Sequence, residues 1–228
     1  MGNRERIVEA SLALFNERGV KSVTTNHIAA HLAISPGNLY YHFRNKEEII
    51  REIFPRIAEV VRDAIVLPQS LEVTAEDVGS YHLAGIRSLW EFRFFFRDLS
   101  ELTSRDPMLA ESCRELQQGL LSAFEALLER LRAQGLMRET DSDLDLGRLA
   151  VNAVILWTNW MNFLTTSRPT TDIEPADIVE GALQSFLTLS PFLDDSFAAE
   201  VRAVMLRPAE GHGNSPRATV TNITFSIG

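Results

Sequence analysis

Residues 23–50 read VTTNHIAAHLAISPGNLYYHFRNKEEII. Three helix starts are written into this stretch. Thr24 can cap a short helix that holds Ile28, Ala29 and Leu32, because its hydroxyl can take up one of the free N–H groups of the first turn. Ser35 followed by Pro36 reads as an N-cap with proline at the first helical position. That pair opens another short helix through about Phe43. Asn45 with Glu48 three residues on has the pattern of a capping box. It opens a long helix through Ile49, Ile53, Ile57, Val60 and Ala64 that ends before Pro68. Between the two short helices, Ala33-Ile34-Ser35 is small and polar enough for a tight turn, with Ile34 placed to plug between them.

The same pattern extends outward as helix after helix. Upstream, Ile7, Ala10, Leu14 and Phe15 mark a first helix that stops at Gly19. Downstream, a polar, proline-containing stretch from Pro68 to Glu76 is the best boundary. Leu83, Ile86, Leu89 and Trp90 then run into the aromatic group Phe92, Phe94, Phe95 and Phe96. Asp106-Pro107 opens a long amphipathic helix through Leu131 that ends at Gly135. Asp141 or Ser142 caps the next, from about 143 to 166, which is apolar nearly all round. A helix of that kind lies centrally or is shared with another chain. Pro175 opens a further helix and a last one spans 194–206. Pro208, Gly211, Gly213 and Pro216 make 208–228 a tail expected to be poorly ordered. The expectation is an all-α fold, with no convincing strand pattern before the tail. An N-terminal three-helix helix-turn-helix domain (1–48) is joined by a long helix to a C-terminal helical body (49–207).

The 228 residues carry a formal net charge of -9. Its distribution is uneven. Residues 1–46 hold Arg4, Arg6, Arg18, Lys21, Arg44 and Lys46 against Glu5, Glu9 and Glu17, a balance of +3, which leaves -12 on the rest. A mildly basic head on an acidic body fits a protein whose head alone touches phosphate. The single cysteine, Cys113, cannot pair within the chain and sits on an apolar stripe, as a small core hydrophobe does. Leu149 to Leu164, the longest apolar stretch, is interrupted by Asn152, Asn159 and Asn162. It is also shorter than the ~20 residues of a membrane span. With no apolar leader after Met1, the chain reads as cytoplasmic, with no membrane partner.

Two short helices across a tight turn have the spacing of a helix-turn-helix. The second helix of such a unit lies in the major groove with its first residues at base edges. Here the outward candidates are Gly37, Asn38, Tyr41 and His42. Gly37 is costly in a helix, by about 1 kcal/mol against alanine. Its smallness makes sense where backbone must approach a duplex. Asn38 can read adenine through two hydrogen bonds. Tyr40, Tyr41 and His42 offer polar tips to phosphate. Lys46 stands at a helix start, where its ammonium and the free amides can hold another.

The stretch 23–50, together with 7–19, resembles the DNA-binding signature of the TetR family. The resemblance covers about a fifth of the chain and rests on many spaced positions that agree together. It implies a homodimer, usually a repressor, released from double-stranded operator DNA when a small molecule enters the C-terminal body. The switch expected is a tilt of the fourth helix, which ties body to head. It places Thr25, Tyr40, His42 and Lys46 at phosphates and Asn26, Gly37, Asn38 and Tyr41 near bases. Thr24 and Ser35 join this DNA-binding set as caps. Asn26 stands where a longer basic residue is common in the family, so base reading from the second helix is expected to be weaker.

The body inherits a fold expectation and no ligand. Trp90, Phe94, Phe95, Asn152, Trp157, Trp160 and Met161 are the candidates to line an effector pocket, with ordinary core packing as the alternative for each. His82, Arg87, Arg93, Asn152 and Asn159 are the polar groups that can orient a ligand. The aromatic, apolar content points to a hydrophobic effector. Much of the surface of 143–166 and 175–190 is expected to form an isologous four-helix interface. Enzymatic readings find no residues: no phosphate-cradling glycine loop and no Gly-x-Ser-x-Gly elbow are present. His27 and His31 have chelating spacing without an evident third ligand. No cofactor is expected. A ligand carrier and an effector-independent DNA-binding or interaction factor are the alternatives kept beside the regulator.

Overall fold

The computed structural model describes residues 2–66, 72–138, 145–167 and 174–207. Eleven α-helices run through them: α1 (Asn3–Arg18), α2 (Thr25–His31), α3 (Pro36–His42), α4 (Lys46–Ala64), α5 (Ala75–Glu91), α6 (Arg93–Arg97), α7 (Leu99–Arg105), α8 (Pro107–Ala133), α9 (Leu146–Ser167), α10 (Pro175–Leu187) and α11 (Asp195–Met205). Among the described residues the only extended pairing is an isolated bridge between Met137 and Leu193. The all-α expectation is met. The expected caps at Asp141 or Ser142, the loop from Arg168 and the 208–228 tail lie outside the described residues. Within them, the Asp145 carboxylate accepts from the Arg148 N–H at 3.1 Å at the start of α9.

Each early helix begins where its cap predicts. Thr24 accepts from the His27 N–H (3.2 Å), and the His27 ring Nδ1 accepts from the Thr24 N–H (3.3 Å). His27 therefore completes a capping box with Thr24. Ser35 accepts from the Asn38 N–H at 3.2 Å. Asn45 caps α4 through the Glu48 N–H at 2.9 Å, but Glu48 reaches past the cap residue and accepts from the Arg44 N–H at 2.8 Å. The turn after α2 closes as a Schellman motif, with Ile34 N–H donating to the Ala29 carbonyl and Ala33 N–H to that of Ala30. Ala33 takes the left-handed position at φ 53°. That place favours glycine, and alanine fills it at a cost.

α4 ties head to body. Ile49, Ile50 and Ile53 are buried near its start and Ile57, Ala58 and Val61 further on. Pro55 sits inside it, so the Arg51 carbonyl lacks its usual helical donor. At that level the Arg51 guanidinium pairs with Asp106, whose other oxygen caps α8. The body is built around α5, which packs against α4, α9, α10 and α11. Gly85 lets this happen: an added Cβ there would lie 2.1 Å from the Trp157 ring. The Trp157 indole N–H donates to Ser185 Oγ at 2.7 Å, and Ser185 Oγ lies 3.0 Å from His82 Nδ1. His82 is wholly buried, and that burial pushes its pKa down to about 4. The ring is neutral at physiological pH, as a core imidazole must be. Trp160 sits over Gly181 in the same way and donates to the Asp177 carbonyl at 3.0 Å.

The Trp157–Gly85 contact sets opposite expectations for two glycines. Gly85→Ala forces a methyl into the indole and is expected to lower unfolding free energy by about 1–3 kcal/mol. Gly119→Ala, in open space on α8, is expected to raise it by roughly 0.5–1 kcal/mol. Denaturant titration of both variants checks the pair. Equal effects would show that α5 and α9 are not in this close contact.

Candidate nucleic-acid interface

α3 has seven residues, too few to persist alone in water. It is held from below. Leu39 is 0 % exposed and Phe43 is buried at its end, within one core that includes Phe15, Ile28 and Ile49. Full burial of one leucine contributes roughly 2 kcal/mol. The Tyr40 hydroxyl lies 3.1 Å from Thr25 Oγ1 and links α3 to the first turn of α2. With Leu39 turned inward, Ser35, Gly37, Asn38, Tyr40 and Tyr41 are turned out, and Tyr41 is 85 % exposed. Thr24, the cap of α2, and Asn26 on it are exposed, while Thr25 and His42 are half-buried. Tyr41 and His42 meet edge to face at 5.1 Å.

Lys46, expected at a phosphate, is placed here as an internal anchor. Its ammonium turns inward and donates to the carbonyls of Val20 and Val23, the latter at 2.9 Å. Partial burial lowers its pKa, with the neighbouring Glu47 acting in the opposite sense. In this structure Lys46 anchors the loop that leads into Thr24. A lysine at a helix start carries the same letter whether it faces a duplex or its own chain, so the sequence could not separate the two.

Two further placements were not foreseen. Arg44 is exposed in the link between α3 and α4, beside the outward face, and counted in the sequence only as bulk charge. Asn16 joins head to body: its amide N–H donates to the Glu91 carbonyl (2.8 Å) and its amide oxygen accepts from the Phe94 N–H (3.1 Å). Both backbone groups belong to the break between α5 and α6, which the periodicity of the aromatic run does not reveal. Arg4 is taken up internally, paired with Glu52 at 2.8 Å and lying over the Phe43 ring at 4.4 Å. Part of the basic balance of the head is thus spent on its own assembly.

The pocket candidates of the body separate into three groups. Phe94, Trp157, Trp160 and Met161 are buried and packed by neighbouring side chains. Trp90 is half-buried, with the Arg93 guanidinium 5.0 Å from its ring centroid, and Asn152 is exposed on α9. Phe95 alone of the seven borders the groove of about 460 Å³ between α6–α7 and α8, where Cys113 also lies, half-buried. Burial pushes the Cys113 thiol up to about 11. Of the candidate orienting groups, His82 is bonded to Ser185, and Asn159 donates to the Ile155 carbonyl of its own helix at 2.9 Å.

The outward surface of α9 and α10 is apolar in a regular stripe. Val151, Ile155 and Phe163 stand exposed at intervals of four and eight, with Asn152, Asn159 and Asn162 beside them, and Leu187 is exposed on α10. No helix among the described residues is long and apolar enough to cross a membrane. Among the same residues no group of three or more His, Cys, Asp or Glu is arranged to hold a metal ion.

Comparison with known proteins agrees with this geometry. The family described as bacterial regulatory proteins of the tetR type matches residues 7–53, and the one described as bacterial transcriptional repressor matches 57–201. A TetR-family transcriptional regulator of Marinobacter aquaeolei VT8, known from a crystal structure, is 38% identical and superposes with a TM-score of 0.78, over 90% of this chain and 98% of that one. A tetR-family regulatory protein from Rhodococcus RHA1 shares the fold at 21% identity, with a TM-score of 0.65 over 86% of this chain and 100% of that one. An HTH-type transcriptional regulator of Staphylococcus aureus is 38% identical over 58 residues, 25% of this chain and 31% of that protein. The chain thus spans about a third of the length of such curated relatives.

Gly37 offers a test with two signs. An added Cβ would meet nothing nearer than Ser35 Oγ at 3.9 Å, so nothing inside the chain requires glycine. Gly37→Ala is expected to raise thermal stability, by up to about 1 kcal/mol, and to weaken binding to DNA. Thermal melts and gel shifts read the two effects separately. Unchanged DNA affinity would remove the close-approach role of Gly37.

Proposed function

Because the chain belongs to the TetR family of bacterial transcriptional regulators, we propose that it acts as a homodimeric repressor on a near-palindromic operator and is released by a small hydrophobic ligand. The observation that carries this reading is α3, pinned through Leu39 and presenting Gly37, Asn38 and Tyr41 to solvent. Asn38 is assigned to a base edge, through the two hydrogen bonds its amide can make with adenine. Gly37, Tyr41 and Asn26 lie with it near bases. Thr25, Tyr40 and His42 take phosphates, and Arg44 adds a charge at the same edge. Thr24 and Ser35 hold the helix starts that face the duplex. Lys46 joins them at a phosphate from the start of α4, and in the absence of DNA it anchors the loop that leads into Thr24.

The exposed stripe of Val151, Ile155 and Phe163 supports the dimer. Two copies of α9 and α10 packed about a twofold axis cover that apolar surface and leave the asparagines to fix the register. The twofold axis presents two α3 helices to one side of a duplex, one helical turn apart. Release follows if the ligand binds the off-DNA arrangement more tightly, since equal affinity for both states shifts nothing.

Selection of bound fragments from a random DNA pool is expected to return an inverted repeat with half-site centres about 10 base pairs apart. Affinity for it is expected to fall steeply between 50 and 200 mM salt, roughly as the number of phosphates neutralised. Asn38→Ala is expected to relax preference at one position in each half-site, at about 1–3 kcal/mol. A pool that returns unrelated sequences, or an affinity indifferent to salt, contradicts the proposal.

A further inference from the structure

The groove beside Phe95 has a chemistry that narrows the ligand. Phe95, Phe96, Leu116 and Leu120 form its apolar floor. Thr103 and Thr158 line it from α7 and α9, with their hydroxyls donating to the Leu99 and Val154 carbonyls of their own helices. Among the described residues, Arg114 is the one charged residue that lines it, and no aspartate or glutamate does. In a chain of formal net charge -9, such a lining favours an anion over a cation. The partner of Arg114 is Glu111, one turn back on α8. Their side chains are 59% and 62% exposed, so water screens the pair and a bound anion can replace Glu111. Another cleft, about 470 Å³ between α10 and α11, carries Glu180 and Asp195 beside Arg202 and offers an anion no such advantage.

The groove also borders the elements that touch the head. On one side, α6 and α7 supply Phe95, Phe96 and Thr103 to the groove. On the other, the Phe94 N–H is held by Asn16, and Glu101 pairs with Lys21 at 2.6 Å. A ligand that spreads α7 from α8 therefore pulls on the loop and helix that precede α2. The Phe54–Phe95 ring contact, 5.6 Å between centroids, carries the same displacement to α4.

We propose that the groove between α6–α7 and α8 binds an anionic amphiphile, its apolar tail on Phe95, Phe96 and Leu120 and its carboxylate on Arg114. The assignment rests on the reading of the chain as a ligand-released regulator and names the ligand class of that reading. A tail of about ten carbons suits a volume in the usual range for small-molecule sites.

Direct calorimetric titration of the full-length protein tests it, with decanoate, 1-decanol and decylammonium as probes below their micelle thresholds. Decanoate is expected to bind once per chain, decanol about tenfold more weakly, and decylammonium not at all. Arg114→Gln is expected to bring decanoate down to the level of decanol and leave decanol unchanged. Ala110→Trp, which fills the groove, is expected to abolish both. Arg114 is exposed and its variant is expected to fold, so the test survives if the tryptophan variant does not. Three probes that bind equally, decanoate binding unmoved by Arg114→Gln, or no decanoate binding overturns the assignment. Operator release is read separately by gel shift. Decanoate that binds at Arg114 and leaves the DNA complex intact upholds the groove and contradicts release by this ligand.

Discussion

The burial of Leu39 is the constraint on which the interface depends. A helix of seven residues has no stability of its own, so its orientation is set by whichever side chain it buries. Leu39 and Phe43 are the buried ones. Everything on the opposite side is then forced outward, including the glycine that the helix would otherwise do better without. The caps at Thr24, Ser35 and Asn45 fix where each helix begins, and the Schellman turn at Ala33 fixes the angle between α2 and α3. The outward surface of α3 is a consequence of core packing and capping, with few bonds of its own beyond Thr25 to Tyr40.

Head and body share one continuous core, and the polar links between them are few and specific. Asn16 satisfies two backbone groups at the α5–α6 break. Arg51 and Asp106 join the middle of α4 to the start of α8, next to Pro55. Asn16 acts where a helix is interrupted: the break leaves backbone groups without helical partners, and its amide supplies them. Lys21 adds an ion pair to Glu101 of α7. That arrangement makes the relative position of head and body sensitive to α6 and α7, and so to whatever fills the groove on their far side.

The helix starts and the helix-turn-helix were legible because capping and period are local, written in residues three or four apart. The long apolar helix at 143–166 was legible in the same way, and its exposed stripe follows from it. What the sequence could not show were contacts between distant residues. Trp157 and Trp160 looked equally suited to a pocket or to core. Gly85 and Gly181 decide for packing, since each lies under an indole ring that closes the space. Lys46 was expected at a phosphate and holds the carbonyls of Val20 and Val23, an option visible only once the α1–α2 loop has a place. Cys113 was expected as core and borders a groove. Its stripe was read correctly, but the depth of burial along a stripe depends on what α7 covers.

The central claim is that α3 is presented twice, by a symmetric pair, at the spacing of one duplex turn. Ala13, exposed on α1 and outside the residues assigned to DNA, is the natural reporter. An Ala13→Cys variant in a Cys113→Ala background carries one spin label per chain, because Cys113 is the sole cysteine. Pulsed dipolar spectroscopy on the selected operator complex is expected to give one narrow distance distribution, matching two heads whose α3 helices stand about 35 Å apart. Absence of any dipolar coupling, or a distribution that excludes that spacing, would contradict the account.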